Sequence, residues 1–350
     1  MEKVTIRENS IDFLKVCATI LIVFHHHEQI FNAGGGVFFG GKFYFGYLVE
    51  LFFLISGYFT FNYIQKIKDG LTFKSFYLHR AFRLLPLVSI AAVVFEVILY
   101  FYANVYKFSW FDVKASLWGM ILDCLGIQAG WSSINPCVNN PTWYISVLLI
   151  CYLLFYFITY WSHRLKVSPY YGYVFMIFVG IGILTYGISI PGFTYETARG
   201  YYAFFFGIVF HKFLSSEFMK EIRNVLGFAI FLFITFLMIF QWDIVSVDIN
   251  YLFTFVYYPS ILIILKNRHI ANVFKGKFWG ILAGISFNVY IWHSVLHLAT
   301  VSIRDILGVK INMDGGMPML YFTLFCFLWG TISFNLIEKP IKEQLKRKGL

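Results

Sequence analysis

The 350-residue chain is 59% hydrophobic and only 13% charged, and its mean hydropathy is +0.70, so its composition excludes an ordinary soluble domain. Its formal charge of +10 does not indicate nucleic-acid binding, because the basic residues fall in short clusters between apolar runs, as in the loops of membrane proteins. We therefore predict an all-α, polytopic transmembrane helix bundle that forms one domain over residues 1–350. Membrane lipids are its expected surroundings, and no nucleic acid is an expected partner.

Apolar runs along the chain predict about ten membrane spans. The sixth run has only fourteen residues, so it must borrow flanking residues to cross a bilayer about 30 Å thick. Segment 115–130 is also apolar, but we expect it to lie on the outer face or dip into it, because an extra span there would reverse every later loop. The predicted spans are residues 11–31, 43–63, 84–104, 143–161, 170–189, 200–213, 225–241, 250–265, 279–299 and 318–337.

The distribution of basic residues predicts the orientation. With ten spans and a cytoplasmic amino terminus, 21 lysines and arginines fall in inner loops and tails. Six fall in outer loops, namely Lys42, Lys107, Lys114, Arg199, Arg304 and Lys310. This bias favours cytoplasmic amino and carboxyl termini. No small-residue cleavage site follows the first span, so we expect that span to remain in the protein.

The first span carries an unusual set of ionisable residues. Asp12 and Lys15 stand three residues apart near its inner end, where they can form an ion pair. Lys15 and His26 are eleven residues apart, which is three helical turns plus about 20°, so they share one face at a separation of roughly 16 Å. His25 and His27 diverge by about 100° on either side. The three histidines could be an interfacial polar cluster, whereas a metal site is disfavoured because adjacent helical residues point apart.

A carboxylate in the second span matches the depth of His26. Glu50, in YLVELFFLISGYF, is about seven residues from the outer end of its predicted span, and His26 is five residues from the outer end of its own. Two antiparallel helices with a short connection would bring the two side chains together. A carboxylate that orients a histidine and supports its protonated form is typical of general base catalysis.

Several motifs, in order along the chain, resemble those of the acyltransferase-3 family of integral membrane acyltransferases. The first is an aspartate followed by a basic residue, ten intervening residues and a histidine, and IDFLKVCATILIVFHH matches it through Asp12, Lys15 and His26. The remaining matches, in VELFFLISGYF, FYLHRAFRLLP, PTWYISVLL, SFNVYIWH and SFNLIEKP, are Glu50, Phe52, Phe53, Ser56, Gly57, Arg80, Arg83, Pro86, Trp143, Ser146, Ser286, Tyr290, His293, Glu338 and Pro340. The chain departs from the family at Lys15, where arginine is commoner, and at Leu148, where many members carry a glutamate. Any catalytic duty of that glutamate is then absent here or is met by Glu50 or Glu96.

The resemblance implies transfer of an acyl group, most often acetyl from cytoplasmic acetyl-CoA, to a hydroxyl of a surface glycan or its lipid-linked precursor. The expected location is the bacterial cytoplasmic membrane, with acetyl-CoA as a substrate and no permanently bound cofactor. The implied catalytic residues are His26, Glu50, Lys15 and Asp12. His26 would take the proton from the acceptor hydroxyl, or carry the acyl group itself, and the sequence does not choose between these routes.

Arg80 and Arg83 are three residues apart at the inner mouth of the third span, where the resemblance implies binding of the CoA phosphates. Ordinary positive-inside anchoring explains them equally well. Tyr290, His293 and Trp143 are candidates for binding the acceptor. His293 and His297 have the spacing of a metal pair, but no third ligand is evident, so we predict no metal site.

Two further possibilities follow from the sequence. Cys124 and Cys137 both fall in the outer segment and could pair in an oxidising compartment. A transporter or flippase of lipid-linked sugars is the competing function, since it would also carry charge inside the membrane. A transporter is expected to have internal sequence repeats, and spans interrupted by Gly or Pro at corresponding positions of its two halves. Neither feature is evident in the sequence. Purified protein with radiolabelled acetyl-CoA distinguishes the two functions.

Overall fold

The computed structural model describes residues 8–31, 45–111, 113–130, 139–215, 217–240 and 249–347. These residues are 84% helical and contain no β-strand, which confirms the all-α, polytopic prediction. The α-helices in the described residues are α1 (Asn9–Phe31), α2 (Leu48–Thr60), α3 (Tyr63–Lys68), α4 (Phe73–Tyr100), α5 (Leu117–Leu125), α6 (Trp143–Arg164), α7 (Pro169–Tyr186), α8 (Tyr195–Leu214), α9 (Glu217–Phe240), α10 (Ile249–Leu252), α11 (Tyr258–Lys266), α12 (Arg268–Val273), α13 (Lys277–Leu307), α14 (Gly316–Ser333) and α15 (Lys339–Arg347).

Six helical stretches in the described ranges are long and apolar enough to cross a membrane. They are Phe73–Val105, Asn140–Arg164, Pro169–Tyr186, Ile249–Lys266, Lys277–Leu307 and Gly316–Leu345. The four other predicted spans correspond to α1, α2, α8 and α9, which fall outside this set. Charged residues and histidines lower the hydropathy of α1 and α8, and α2 has only 13 residues. The protein is a multi-pass membrane protein, and the number ten remains a prediction.

The sixth predicted span is longer than its apolar run. Helix α8 has 20 residues, so it extends about 30 Å at 1.5 Å per residue, enough to cross a bilayer. The extra residues form a polar first turn that hydropathy does not detect. Thr194 and Thr197 cap it reciprocally, because each side-chain oxygen accepts a hydrogen bond from the backbone N–H of the other, at 2.7 and 3.3 Å.

Segment 115–130 forms a short helix that cannot cross a bilayer. Helix α5 has nine residues, or about 14 Å, and it ends at Gly126, whose φ of 67° is easily adopted by glycine. It lies along α4, where the Ser89 hydroxyl donates to the Cys124 carbonyl oxygen at 3.0 Å. Leu117, Trp118 and Leu125 are exposed along its outer face, as expected of a helix that contacts lipid. Cys137 lies outside the described residues, so its pairing with Cys124 remains a prediction.

The chain forms two compact units, each assembled from separate stretches. The first unit contains Met1–Leu51, Phe213–Tyr290 and Met313–Thr331. The second contains Phe52–Lys212, Ile291–Asn312 and Ile332–Leu350. The prediction of one domain over residues 1–350 concerns the whole chain and stays a prediction.

In the first unit, α1 packs on α11, α12 and the start of α13. The Phe13 ring stacks on Phe274 at a centroid distance of 4.3 Å and meets Trp279 edge-on at 4.7 Å. Ahead of the helix, Glu8 forms an ion pair with Lys266 at 3.4 Å. These contacts fix the amino-terminal end of the helix that carries the histidine triplet.

In the second unit, α2 and α8 approach each other through glycines. A Cβ atom on Gly57 would lie 1.9 Å from the carbonyl oxygen of Phe204, and one on Gly207 would lie 2.1 Å from that of Leu54. The backbones of α2 and α8 are therefore in direct contact at both glycines. Glycine at positions 57 and 207 therefore permits close helix packing.

Of the three five-residue π-helical stretches in the described residues, two, Phe253–Tyr257 and Phe334–Glu338, end two residues before a proline. Pro259 and Pro340 have no N–H, and a proline ring crowds the carbonyl four residues earlier in a helix. Widening the helix by one residue relieves this conflict while the chain continues in the same direction.

Candidate functional site

The three consecutive histidines of α1 have different surroundings. His25 and His27 are buried, with 7% and 0% of their surface exposed, whereas His26 is partly exposed. The His25 and His26 rings meet edge-to-face at 5.3 Å. The helix ends at Phe31, so His26 lies five residues from the end, as predicted. Of the three imidazoles, that of His26 is the most accessible to a substrate.

His27 is held by packing and by a backbone contact. Its Nε2 donates a hydrogen bond to the carbonyl oxygen of Met313 at 2.9 Å, just before α14 begins. Its ring lies 4.7 Å from that of Phe31 and 5.3 Å from that of Phe322. These contacts join α1 to α14 within the first unit, which gives His27 a structural role.

The predicted ion pair between Asp12 and Lys15 is present near the amino-terminal end of α1. Lys15 Nζ lies 3.5 Å from Asp12 Oδ1, and the Asp12 side chain is 8% exposed, against 30% for Lys15. The Thr19 hydroxyl donates to the Lys15 carbonyl oxygen at 2.9 Å, one turn further along. Because α1 is continuous from Asn9 to Phe31, the cation and His26 share one helical face about 16 Å apart.

Glu50 is fully buried, but its position in the helix differs from the prediction. Helix α2 begins at Leu48, after a 3₁₀ turn over Phe45–Tyr47, so Glu50 lies in the first helical turn rather than seven residues in. The apolar run includes this turn, which hydropathy does not distinguish from helix. A carboxylate in the first turn is stabilised by the helix dipole and the unpaired backbone N–H groups there. Its pairing with His26 stays a prediction.

Arg80 and Arg83 lie inside helix α4, and their position at the inner mouth of the membrane span stays a prediction. Helix α4 begins at Phe73, eleven residues before the predicted span, because Thr72 caps it by accepting a hydrogen bond from Ser75 N at 3.3 Å. The helix is polar at its start, so hydropathy places the boundary too late. Arg83 is exposed on its surface.

The Arg80 guanidinium is enclosed by aromatic rings. Its central carbon lies 3.7 Å from the centroid of the Phe76 ring, 4.2 Å from that of Tyr63 and 4.7 Å from that of Tyr152. Its Nη1 donates a hydrogen bond to the Phe76 carbonyl oxygen at 2.9 Å. Cation–π contacts of this kind contribute about 0.5–2 kcal/mol each. Arg80 therefore stabilises the packing of α3, α4 and α6. Positive-inside anchoring is not sufficient to explain its surroundings.

Trp143 begins α6 and contacts Arg199, a cation that falls in an outer loop of the predicted topology. The Arg199 guanidinium lies 5.0 Å from the Trp143 ring centroid and 5.5 Å from that of Tyr195. Arg199 is the fifth residue of α8. Its position just before a long apolar run could have indicated that Arg199 belongs to the helix, because polar residues often form the first turn.

Tyr290, His293 and His297 share one face of α13, since spacings of three and seven residues keep them within about 60°. All three are buried, and the rings of the two histidines meet edge-to-face at 6.2 Å. The described residues contain no group of three or more histidines, cysteines, aspartates or glutamates that could hold a metal.

A buried polar network, which no sequence pattern indicated, joins the segment after α5 to the start of α6. The Gln128 amide donates to both the carbonyl and the hydroxyl oxygen of Thr142, at 3.0 Å each. Asn139 donates through its backbone N–H to Asp123 Oδ2 at 3.0 Å and through its side chain to the Ile291 carbonyl oxygen at 3.2 Å. This network holds the turn before Trp143 in place.

Glu96, a possible substitute for the glutamate that Leu148 replaces, also has a structural partner. It is buried in α4 and accepts a hydrogen bond from the backbone N–H of Ser116, the residue that caps α5. Its carboxylate therefore ties α5 to α4.

The helices and these side chains define a polytopic membrane protein with ionisable residues at set positions on its helices, which is the expected architecture of an integral membrane enzyme. The model of a family described as an acyltransferase domain matches residues 8–337. The chain belongs to this family, acyltransferase-3, as its motifs predicted, and the membership favours a membrane acyltransferase over a transporter. Comparisons with curated proteins and with solved structures gave no match.

Proposed function

We propose that this protein transfers a short acyl group, most simply acetyl, from cytoplasmic acyl-CoA to a hydroxyl of a surface glycan or its lipid-linked precursor. The observation that carries the proposal is the arrangement of α1 in a chain of the acyltransferase-3 family. A partly exposed His26 stands between two buried histidines, on the same helical face as the paired Lys15.

The transfer requires one proton acceptor. The acceptor hydroxyl attacks the thioester carbonyl, its proton passes to His26, the carbon–sulfur bond breaks and an ester forms. CoA leaves as a thiolate and takes up a proton to give the free thiol. In the alternative route His26 first attacks the thioester and then passes the acyl group to the hydroxyl. We propose that Glu50 supports the imidazolium in either route, and that Asp12 holds Lys15 in position.

The donor site is proposed around Arg83, in the first half of α4. Arg83 is exposed there, and an exposed guanidinium can form bidentate bonds to a phosphate. Aromatic rings surround the Arg80 guanidinium, which hydrogen bonds to the Phe76 carbonyl oxygen and to the side chains of Tyr63 and Tyr152. Arg80 can therefore hold this part of the helix in place while it contributes a further positive charge.

The acceptor is proposed to contact Trp143, Tyr290 and His293. An indole next to a guanidinium, as in the Trp143–Arg199 pair, provides an apolar face beside polar donors. A saccharide has the same combination of apolar C–H faces and hydroxyl groups.

The finer topology is part of the proposal. We propose one integral membrane domain of about ten spans in the bacterial cytoplasmic membrane, with both termini in the cytoplasm. The charge bias of the loops supports this orientation, and α5 is too short to add a span.

Purified protein in detergent, mixed with acetyl-CoA labelled in the acetyl group, tests the function directly. Release of CoA thiol and transfer of label to isolated envelope glycan are the expected results. Protein with His26→Ala is the matched control. A wild-type preparation that moves lipid-linked sugar across the membrane of a vesicle but releases no CoA would overturn the proposal.

A further inference from the structure

The second unit contains an open cleft of about 560 Å³ at the carboxyl end of α13. Its walls are the last turn of that helix, the chain that follows it and an aromatic residue that follows α4. The lining side chains that matter for recognition are Phe108, Arg304, Asp305, Lys310, Ile311 and Asn312. The volume is in the range that accommodates a small ligand.

One wall of the cleft is held by a hydrogen-bonded group. The Tyr102 hydroxyl donates to Asp305 Oδ2 at 2.6 Å, and Arg304 Nε donates to Asp305 Oδ1 at 2.8 Å. The Tyr102 ring also stacks on Phe108 at a centroid distance of 5.3 Å and an angle of 19°. Asp305 therefore links Arg304 to the stacked rings of Tyr102 and Phe108.

The chain beyond α13 is also constrained. Gly308 ends the helix with a φ of 62°, and Val309 N donates to the Arg304 carbonyl oxygen at 3.1 Å. Ile311 N donates to the Val309 carbonyl oxygen at 3.0 Å. Lys310 lies between these two bonded residues, so its backbone is fixed while its side chain is exposed.

The charges of the cleft favour an anion. Two cations, Arg304 and Lys310, line it with one carboxylate, Asp305, which is paired with Arg304, so the lining keeps a net positive charge of one. Asn312 adds a neutral amide to the lining, while Phe108 and Ile311 add apolar surface. A phosphate ester beside a ring or a hydrocarbon fits this combination, because the cations bind the oxyanion and the apolar side chains contact the rest.

We propose that this cleft binds the phosphate group of a phosphate ester, either a sugar phosphate of the kind found in a lipid-linked saccharide or the headgroup of an anionic phospholipid. The proposal rests on the proposed function for its link to the acceptor, since the cleft lies on the outer side only in the topology proposed above. Phosphate binding itself does not require acyl transfer.

Two probes distinguish the sources of the phosphate. Binding of radiolabelled glucose 1-phosphate is measured by equilibrium dialysis in phosphatidylcholine nanodiscs, and bound phosphatidylglycerol is counted by native mass spectrometry after purification in detergent. Lys310→Glu reverses an exposed charge in the cleft. Lys114→Glu is the matched control, because Lys114 is also exposed, also predicted to be outside, and is not part of the cleft.

Lys310→Glu is expected to weaken binding of the recognised probe roughly tenfold, whereas Lys114→Glu changes it less than about twofold. Glucose 1-phosphate binding with this pattern assigns the cleft to a sugar phosphate. The same pattern with phosphatidylglycerol alone assigns it to a lipid headgroup. Failure of both probes to bind, or equal losses in the two variants, overturns the proposal. No acyl donor is present, so this result is independent of whether the protein transfers acetyl.

Discussion

Replacing Gly57 with alanine tests the backbone contact between α2 and α8. The added Cβ would lie 1.9 Å from the Phe204 carbonyl oxygen, whereas real Cβ contacts are essentially never shorter than 3.0 Å. The helices must therefore move apart by at least about 1.1 Å along this line. The reciprocal contact of Gly207 with Leu54 is then lost as well. No side-chain rotation can relieve the clash, because both groups belong to the backbone.

Overpacking of this kind costs about 1–3 kcal/mol, and occasionally more. We expect Gly57→Ala to lower the melting temperature by several degrees, which a thiol-reactive dye can follow because Cys151 and Cys326 are buried until the protein unfolds. Gly182→Ala is the matched control: Gly182 is also helical, but a Cβ there meets no atom within 4 Å. Alanine is favoured over glycine in helices by about 1 kcal/mol, so the control keeps or raises the melting temperature.

Acetyl transfer should fall with stability in Gly57→Ala, because α2 also carries Glu50 seven residues earlier. Equal melting temperatures for Gly57→Ala and Gly182→Ala would refute the reasoning, since they would mean that the two helices are not in backbone contact.

Two further predictions separate residues that are neighbours in the sequence. His26→Ala should abolish transfer of labelled acetyl, whereas His27→Ala should retain part of it but melt at a lower temperature, because it loses the bond to Met313. Equal loss of transfer in both variants would indicate a structural cluster. Arg83→Gln should raise the apparent KM for acetyl-CoA several-fold with an unchanged melting temperature, whereas Arg80→Gln should lower the melting temperature, because it removes the cation from three rings. An unchanged donor KM in Arg83→Gln would leave that residue as a topological anchor.

Much of the candidate site on α1 follows from sequence. The 23-residue helix is continuous, so the register between Lys15 and His26 depends only on helical geometry. The ion pair of Lys15 with Asp12 is likewise a contact between neighbouring turns. Glu50 was less predictable, because hydropathy does not show where a 3₁₀ turn gives way to an α-helix.

The sequence alone determined the medium, the helical class and the family, because composition and the order of motifs are properties of the chain that do not depend on how its helices pair. Only the tertiary structure decided what each polar residue contacts. Arg80 and Arg83 look equivalent as a pattern, yet packing encloses one in aromatic rings and leaves the other exposed. The cleft beside Arg304 depends on Tyr102, about two hundred residues away, and its Asp305 contact forms only when the helices are assembled. Contacts between distant segments depend on the spatial arrangement of several helices at once, and no local pattern in the sequence encodes that arrangement.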